Sequence, residues 1–428
     1  MSLYPANPTG LPARRAALKL LDAVLRRGEP LESALHAATQ GLGQRADRAL
    51  THAIVAAVLR YMPDLDALID AATRQPLPED AKARAVLRIA LAQALILKTP
   101  PHAAISTALP LVDGGPRKLV HGVFGTVMRS SASLPDTPTL LPEVAERWSA
   151  QWGTEMTEAA AEALAAPPAM DLTLKDAGTT QTWAETLGGT SLLPGHVRLN
   201  EAMDVTTLPG FAEGAWWVQD LAASLPARLL GAGEGKDVLD LCAAPGGKTM
   251  QLAAAGWRVT AVDQSSKRLG RLAANLARTD LAAETLAADI RHWEPAAPVD
   301  AILLDAPCSA TGIFRRHPDV LHRIGSRQIE ERAELQKELL IRAASWVKPG
   351  GVLVYATCSL ERAEGEEQIE PLISERGTFD MDNIDPVVLP ADVAPAEQGW
   401  LRTLPSLLAD KGRLDGFFVA CLRKKYPS

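Results

Sequence analysis

Cysteine is scarce in this chain of 428 residues, which contains four. They stand at positions 242, 308, 358 and 421, so no two form a CxxC pair. No group of cysteines and histidines has the spacing of a zinc site, and we assign no metal ligand. These absences argue against a disulfide framework and favour a reducing compartment such as the cytoplasm.

Long hydrophobic runs are also absent. No apolar stretch reaches the roughly 18 residues that would indicate a membrane span. The start, Met1-Ser-Leu-Tyr-Pro-Ala-Asn-Pro8, lacks the charged and then apolar layout of a signal peptide. With 47% hydrophobic and 22% charged residues, the composition is that of a globular protein with room for several domains. We expect a cytoplasmic monomer with no membrane partner.

The net charge of −7 is unevenly distributed along the chain. Residues 1–140 carry 16 Lys and Arg against 11 Asp and Glu, a net charge of +5, which leaves −12 for the remainder. A basic module on an acidic body is compatible with nucleic-acid binding, because Lys and Arg neutralise phosphates. From charge alone, a solvated surface with uneven charges explains the asymmetry equally well.

Hydrophobic periodicity predicts a multidomain chain with three regions. Residues 1–140 have apolar positions at three- and four-residue spacing, interrupted by prolines, and predict an all-α bundle. Residues 141–215 predict a linker and a small α/β connecting subdomain, with short strands at Asp171–Leu174 and Val197–Asn200. In residues 216–428 short apolar runs alternate with helical segments, which predicts a Rossmann-like domain with a mainly parallel sheet. A last run, Phe417–Leu422, can add an antiparallel strand.

A glycine-rich turn follows the first strand of that domain, in Asp240-Leu-Cys-Ala-Ala-Pro-Gly-Gly-Lys-Thr249. Gly246 and Gly247 allow the backbone to approach a ligand closely, and a helix begins directly afterwards. A nucleoside-triphosphate P-loop is disfavoured because it requires glycine at position 242, where this chain has Cys242. The turn also lacks the GxGxxG form of a dinucleotide site, so we predict a shorter, nucleoside-type cofactor.

Carboxylates end the next two predicted strands. Asp263 lies about twenty residues past the turn, where an acid can accept hydrogen bonds from both hydroxyls of a ribose. Asp289 follows the third strand and can receive an adenine amino group. Either residue alone is well explained as a loop or helix-cap aspartate. Two acids in register with a glycine turn favour the cofactor site.

Two further strands end next to a cysteine, in Asp305-Ala-Pro-Cys-Ser and in Thr357-Cys-Ser. The carboxyl edge of a parallel sheet is where ligands bind, so Cys308 and Cys358 are predicted to lie near the cofactor turn. Two thiols there indicate covalent chemistry on an electrophile. The alternative, a small buried hydrophobic residue, suits Cys421 and Cys242 better.

Together these motifs resemble the S-adenosylmethionine-dependent RNA cytosine-5 methyltransferases of the NOL1/NOP2/Sun family. The resemblance covers roughly residues 197–424 and includes Lys348-Pro-Gly-Gly and Asp415-Gly-Phe-Phe. One departure is Ala310, where the family usually has glycine. The resemblance implies that S-adenosylmethionine is the cofactor and that its site contains Cys242, Ala243, Ala244, Pro245, Gly246, Gly247, Lys248, Asp263, Asp289 and Asp305.

The resemblance also implies a role for each thiol. A thiolate that adds to carbon 6 of cytosine makes carbon 5 nucleophilic towards a methyl sulfonium, and Asp305 can hydrogen-bond the ring. By resemblance, Cys358 is the nucleophile and Cys308 assists release of the adduct. The residues alone do not show which of the two cysteines is the nucleophile, because DNA cytosine-5 methyltransferases place their nucleophile in a Pro-Cys motif similar to that of Cys308.

A second resemblance covers the N-terminal region. The stretch from Ala13-Arg-Arg to Val120-His-Gly-Val-Phe is similar to NusB-type RNA-binding domains. The two resemblances together imply that the partner is 16S ribosomal RNA of the small subunit, before or during assembly. Arg315 and Arg316, after the Cys308 loop, are expected to contact RNA phosphates. Methylation of another RNA such as tRNA, a non-catalytic RNA-binding assembly factor and a small-molecule methyltransferase are the alternatives.

Overall fold

The computed structural model describes residues 10–200, 203–374 and 377–427. The first nine residues, on which the argument against a signal peptide rests, lie outside this range. Within it, no helix has the length and apolar character needed to cross a membrane.

The helices are, in chain order, α1 (Leu11–Arg27), α2 (Leu31–Ala38), α3 (Arg45–Arg60), α4 (Met62–Ala71), α5 (Lys82–Leu91), α6 (Pro101–Ala108), α7 (Gly114–Arg129), α8 (Pro142–Trp152), α9 (Thr154–Leu164), α10 (Thr180–Leu187), α11 (Leu221–Arg228), α12 (Gly247–Ala254), α13 (Ser266–Thr279), α14 (Val320–Arg323), α15 (Ser326–Ser345) and α16 (Glu366–Ser374). The strands are β1 (Met170–Leu174), β2 (His196–Leu199), β3 (Trp216–Val218), β4 (Asp237–Leu241), β5 (Arg258–Asp263), β6 (Glu284–Ala287), β7 (Val299–Asp305), β8 (Val347–Thr357), β9 (Phe379–Met381), β10 (Leu401–Thr403) and β11 (Phe417–Lys424).

The chain forms two compact units, and each is assembled from two separate stretches. The helical unit contains Met1–Pro167 and Phe314–Ile324, and the sheet unit contains Pro168–Ile313 and Gly325–Ser428. The stretch 141–215 is therefore shared, with α8 and α9 in the helical unit and β1 to β3 in the sheet unit.

The helical unit is built from α1 to α9 and α14, of which α1 to α7 lie in the region where the apolar periodicity predicts helices. In α1 the buried positions recur every three or four residues, and the helix ends where Gly28 takes φ 66° and its amide bonds back to Ala23. The inserted segment contributes Phe314, which is fully buried with its ring 5.3 Å from that of Trp148 in α8. A piece of chain from the middle of the sequence thus completes this core.

Polar contacts hold the inserted segment Phe314–Ile324 in the helical unit. The guanidinium of Arg60 donates to the carbonyl oxygen of Arg315 at 2.6 Å. The amide of Leu31 donates to the carboxylate of Asp319 at 3.1 Å. Burial, with the charge of Arg315, lowers the pKa of Arg60 to about 10. Because these donors and acceptors are buried, separating the segment from the helices would leave them unpaired.

The sheet unit contains an eight-stranded sheet in the order β10-β11-β8-β7-β4-β5-β6, with β9 paired to β11. The five strands from β8 to β6 are parallel, and β11 pairs antiparallel with β8, β9 and β10. The predicted mainly parallel sheet is therefore confirmed, and Phe417–Lys424 is the expected antiparallel strand. All five parallel strands end at one edge, which brings together loops that are distant in sequence.

A second, three-stranded antiparallel sheet has the order β2-β1-β3. Its β1 and β2 match the two short strands predicted in the connecting subdomain. The buried carboxylate of Asp171 accepts two hydrogen bonds from Arg198, at 2.7 and 2.8 Å. This pair joins β1 to β2 inside the unit, where an unpaired charge would be costly.

Candidate active site

The carboxyl edge of the parallel strands carries the residues that the sequence predicts for the site. The glycine turn follows β4, Asp263 ends β5, and Asp289 comes shortly after β6. Asp305 ends β7, and Cys358 directly follows β8. The parallel topology thus places cofactor candidates on β4 to β6 and thiol candidates on β7 and β8.

The glycine turn is shaped by positive φ angles. Gly246 has φ 105° and caps α12, and a Cβ there would lie 2.7 Å from Leu272 Cγ, so packing against α13 also requires glycine. Cys242 has φ 63°, and burial raises the pKa of its thiol. A thiol held in its neutral form is a poor nucleophile, so Cys242 serves the shape of the turn.

Asp263 lies against the same turn. Its carboxylate accepts hydrogen bonds from the amides of Ala244 at 3.2 Å and Ser265 at 2.9 Å. The guanidinium of Arg268 lies 3.2 Å from Asp263 Oδ2, the oxygen that also accepts from Ala244, and Arg268 is half exposed, whereas Asp263 is only 2% exposed.

Asp289 is the second carboxylate of the cofactor candidates. It accepts hydrogen bonds from the amide of Arg291 at 2.9 Å and from its guanidinium at 2.6 Å, which lowers the pKa of Asp289 to about 2. An ionised carboxylate is an acceptor with several lone pairs, so it can also receive an amino group. Asp263 and Asp289 together match the donors of a nucleoside, namely ribose hydroxyls and an adenine amine. The residues present thus fit S-adenosylmethionine.

Lys248 faces the thiol side of the site. Its ammonium lies 2.9 Å from the carboxylate of Asp305 and 5.6 Å from the ring centre of Phe417. Burial alone would lower the pKa of Lys248, but the charge and hydrogen bond of Asp305, together with nearby Cys358, raise it. The sequence predicts a cofactor contact for Lys248, and the structure shows a buried cation paired with Asp305.

The two thiols lie side by side. The sulfur atoms of Cys308 and Cys358 are 3.4 Å apart, although the residues are 50 positions apart in the sequence. The contact with Cys358, followed by burial, raises the pKa of Cys308 well above its ordinary range. Cys308 is therefore held as a thiol that can donate its proton towards the Cys358 sulfur.

The loop after Cys308 is tied to the strand end that carries Cys358. The amide of Gly312 donates to the carbonyl oxygen of Cys358 at 3.0 Å, and the amide of Gly416 donates to Gly312 at 2.9 Å. A side chain at Gly312 would overlap the carbonyl oxygen of Gly416. Ala310 adopts φ 61°, so the turn keeps a left-handed residue although the chain has alanine there.

Glu364 is a residue of this site that the sequence analysis missed. It is fully buried and accepts hydrogen bonds from the Ser309 amide at 2.8 Å, the Ser359 hydroxyl at 2.5 Å and the Gln336 side chain at 2.9 Å. Burial raises its pKa. Glu364 stands in the charge-rich stretch 361–367, which has the composition of a solvated loop, so no sequence signal marked it as buried.

The two arginines predicted to bind RNA lie in the helical unit. Arg315 is only 4% exposed and Arg316 is half-buried. A phosphate contact by Arg315 stays a prediction and requires this segment to rearrange, because the guanidinium is enclosed.

Comparison with known proteins identifies the family. A model described as 16S rRNA methyltransferase RsmB/F matches residues 227–423, and a NusB family model matches residues 11–129. The chain is 36% identical, over 434 residues, to the ribosomal RNA small subunit methyltransferase B of Xylella fastidiosa, covering 97% of this chain and 98% of that protein. The chain belongs to the ribosomal RNA small subunit methyltransferase B family. This membership confirms the predicted resemblance, including its NusB part, and the prediction of an RNA methyltransferase.

Solved structures share the fold of this family member. The crystal structure of PH0851 is similar with a TM-score of 0.73 and 23% identity, over 98% of this chain and 99% of that one. The structure of NSun6 from Pyrococcus horikoshii with SFG is similar with a TM-score of 0.58 and 20% identity, over 67% of this chain and 99% of that one. At these identities the likeness supports the fold alone.

Proposed function

We propose that this chain methylates carbon 5 of a cytosine in 16S ribosomal RNA through a covalent adduct between Cys358 and carbon 6 of the base. The observation that carries the proposal is the 3.4 Å contact between the sulfur atoms of Cys308 and Cys358, with the Lys248–Asp305 pair nearby. The names of the relatives, ribosomal RNA small subunit methyltransferase B, support the RNA class of the substrate.

The Cys358 sulfur is the attacking atom, and the thiolate is the nucleophilic form of a cysteine. This sulfur adds to carbon 6, the carbon 5–carbon 6 double bond opens, and negative charge develops on the ring. The Lys248 ammonium, held 2.9 Å from Asp305, is a buried cation that stabilises this charge. Asp305 accepts a hydrogen bond from the exocyclic amino group, so the pair presents both a donor and an acceptor to the edge of the base.

The cofactor side of the edge orients the methyl donor. S-adenosylmethionine, when bound, supplies an electrophilic methyl group to carbon 5. Asp263 accepts hydrogen bonds from the ribose hydroxyls, and Asp289 accepts a hydrogen bond from the adenine amino group. The turn from Cys242 to Lys248 brings backbone close to the same ligand, where the positive φ of Gly246 allows the approach.

Cys308 acts in the release step. After methyl transfer, carbon 5 holds a proton that a base must take, and the electron pair then restores the double bond while the sulfur–carbon 6 bond breaks. The contact with Cys358 is the main cause of the raised pKa of Cys308. The Cys308 sulfur lies 3.4 Å from the Cys358 sulfur and is therefore close to the adduct that has to be released.

Bisulfite mapping of 16S RNA tests the reaction and its substrate. RNA from cells that lack the gene is expected to lose one protected cytosine that returns when the wild-type gene is restored. An unchanged pattern at every cytosine of 16S RNA, with a change in tRNA instead, would contradict the proposed substrate.

Variants of the cysteines test the roles of the thiols. Cys358→Ala is expected to abolish methylation, and Cys308→Ala to accumulate a covalent protein–RNA adduct that survives denaturing electrophoresis. Cys421→Ala is the matched control, because Cys421 is a buried residue of β11, and it should retain activity. Full activity in Cys358→Ala, or an adduct that forms only through Cys308, would reverse the assignment.

A further inference from the structure

Each of the two thiols is followed by a serine whose hydroxyl group reaches the same carboxylate. Ser309 follows Cys308 and Ser359 follows Cys358, and both serines are buried. The Ser359 hydroxyl lies 2.5 Å from Glu364 Oε2, and the Ser309 hydroxyl donates to the same oxygen. The Ser309 amide donates to Glu364 Oε1 at 2.8 Å. One carboxylate therefore ties two strand ends that are separated by 50 residues.

Glu364 is itself held through both its carboxylate and its backbone. Gln336 of α15 donates from its side-chain amide to Glu364 Oε1 at 2.9 Å and to the carbonyl oxygen of Pro307 at 3.0 Å. The hydroxyl of Tyr355 in β8 donates to the carbonyl oxygen of Glu364 at 2.9 Å. Residues on both sides of Cys308 are thus fixed by a network centred on Glu364.

We propose that Glu364 is a positioning residue that sets the separation of the Cys308 and Cys358 sulfur atoms by bridging the serine after each of them. The role of Glu364 in the reaction rests on the proposed function, whereas the hydrogen-bonded bridge between the two serines does not. Glu364 hydrogen-bonds neither sulfur in the described contacts, so it acts through the loops. Small shifts in the geometry of reacting groups are enough to slow an enzyme strongly.

The substitutions separate the shape of Glu364 from its charge. In Glu364→Gln the amide oxygen still accepts from the Ser309 amide and Gln336, and the amide nitrogen can donate to the two serine hydroxyl oxygens, which act as acceptors. Glu364→Ala removes all of these contacts. A bridging role therefore predicts that Gln substitutes well and Ala badly, whereas a role for the negative charge predicts that both fail.

Oxidative crosslinking of the full-length protein measures the thiol separation without any substrate. Diamide takes two protons and two electrons from the thiols and becomes the hydrazine, and a Cys308–Cys358 disulfide forms, which peptide mass spectrometry quantifies. Glu364→Ala is expected to slow this crosslink about tenfold and Glu364→Gln to stay within about threefold of the wild type. Asp300→Asn is the matched control, because Asp300 accepts hydrogen bonds from Lys348 at 2.8 Å and from the Asp237 amide at 3.0 Å near the opposite, amino end of β7.

Steady-state kinetics provide the second readout. Glu364→Ala is expected to lower kcat for methyl transfer about tenfold and to leave KM for RNA within about twofold, because the reacting groups, not the binding surface, are displaced. A wild-type crosslinking rate in Glu364→Ala, or equal impairment of the Gln and Ala variants, would overturn the proposal. Slow crosslinking of Glu364→Ala, together with a wild-type protein that shows no RNA methylation, would instead reject the proposed function and keep the bridge.

Single serine variants provide a test that still applies if Glu364→Ala does not fold. Ser309→Ala and Ser359→Ala each remove one arm of the bridge and leave the buried carboxylate its other partners. Each is expected to slow crosslinking by less than Glu364→Ala, and wild-type rates in both would contradict the bridge.

Discussion

Asp240, in the strand that leads to the glycine turn, is expected to destabilise the protein at neutral and alkaline pH. It is fully buried, and the Thr249 hydroxyl donates to its Oδ2 at 2.5 Å. Its Oδ1 has no hydrogen-bond partner in the part of the chain that the structure describes. Burial, with the charges of Asp305 and Asp263, raises the pKa of Asp240 to about 7. Asp240→Asn keeps an acceptor for Thr249 and cannot ionise.

The size and direction of the effect follow from the raised pKa of Asp240. The folded state keeps a proton that the unfolded state, with a carboxyl pKa of 3.8, has released, so stability falls as pH rises between about 4 and 7 and is level above that window. A shift of about three pKa units at about 1.4 kcal/mol each corresponds to about 4 kcal/mol. Asn cannot ionise, so the stability of the variant does not fall in this way. The unfolding free energy of Asp240→Asn should therefore rise relative to that of the wild type by about 3 kcal/mol between pH 5 and pH 8.

Urea unfolding followed by tryptophan fluorescence at several pH values measures the difference in unfolding free energy. Asp237→Asn is the control, because it makes the same change in the same strand at a half-buried position. There a hydrogen bond from Arg258 lowers the pKa of the carboxyl group, so its substitution should show no gain as pH rises. A free-energy difference between Asp240→Asn and wild type that is equal at pH 5 and pH 8 would refute the reasoning.

Three further outcomes are expected. Lys248→Met should reduce the rate of methyl transfer about 100-fold, because it removes the cation beside Asp305. Lys248→Arg keeps a cation and should reduce this rate by less, and transfer of a radiolabelled methyl group to RNA measures both rates. Asp263→Ala should weaken S-adenosylmethionine binding at least about tenfold by calorimetry, since hydrogen bonds to a charged group are lost, and unchanged affinity would remove Asp263 from the site. Ala310→Gly should raise the unfolding free energy by about 0.5–1 kcal/mol, because alanine is strained at φ 61° and glycine is not, and a decrease would argue against that strain.

Much of the sheet unit was predictable, because its strands are short buried runs with strong boundaries. The apolar run before Asp305 and the run before Cys358 became β7 and β8, and parallel pairing then required their ends to be neighbours. The strand Trp216–Val218 was not predicted. It is three residues long and is defined by its pairing with β1, some forty residues away in the sequence, which local periodicity does not report.

The candidate site was predictable where a motif carries its own chemistry, and less so where burial decides the role. Cys308 and Cys358 were singled out from their positions at strand ends, and their sulfur atoms are in contact. Lys248 was assigned to the cofactor turn because of its sequence neighbours, but its partner Asp305 comes from another strand. The sequence does not predict Glu364 as a site residue, because a charged stretch is expected to be exposed to solvent. Only the hydrogen bonds of the folded protein show that its carboxylate is enclosed.

The inserted segment Phe314–Ile324 affects the order in which the protein can fold during synthesis. The helical unit lacks part of its core, including the buried ring of Phe314, until the ribosome has made the chain beyond Ile324. At about 5–20 residues per second, this delay after Pro167 has been added is roughly ten to thirty seconds. During that time the face of Trp148 that Phe314 covers is open to chaperones and proteases. The N-terminal unit therefore comes first in the sequence but cannot finish folding until residues 168–313 of the sheet unit have been synthesised.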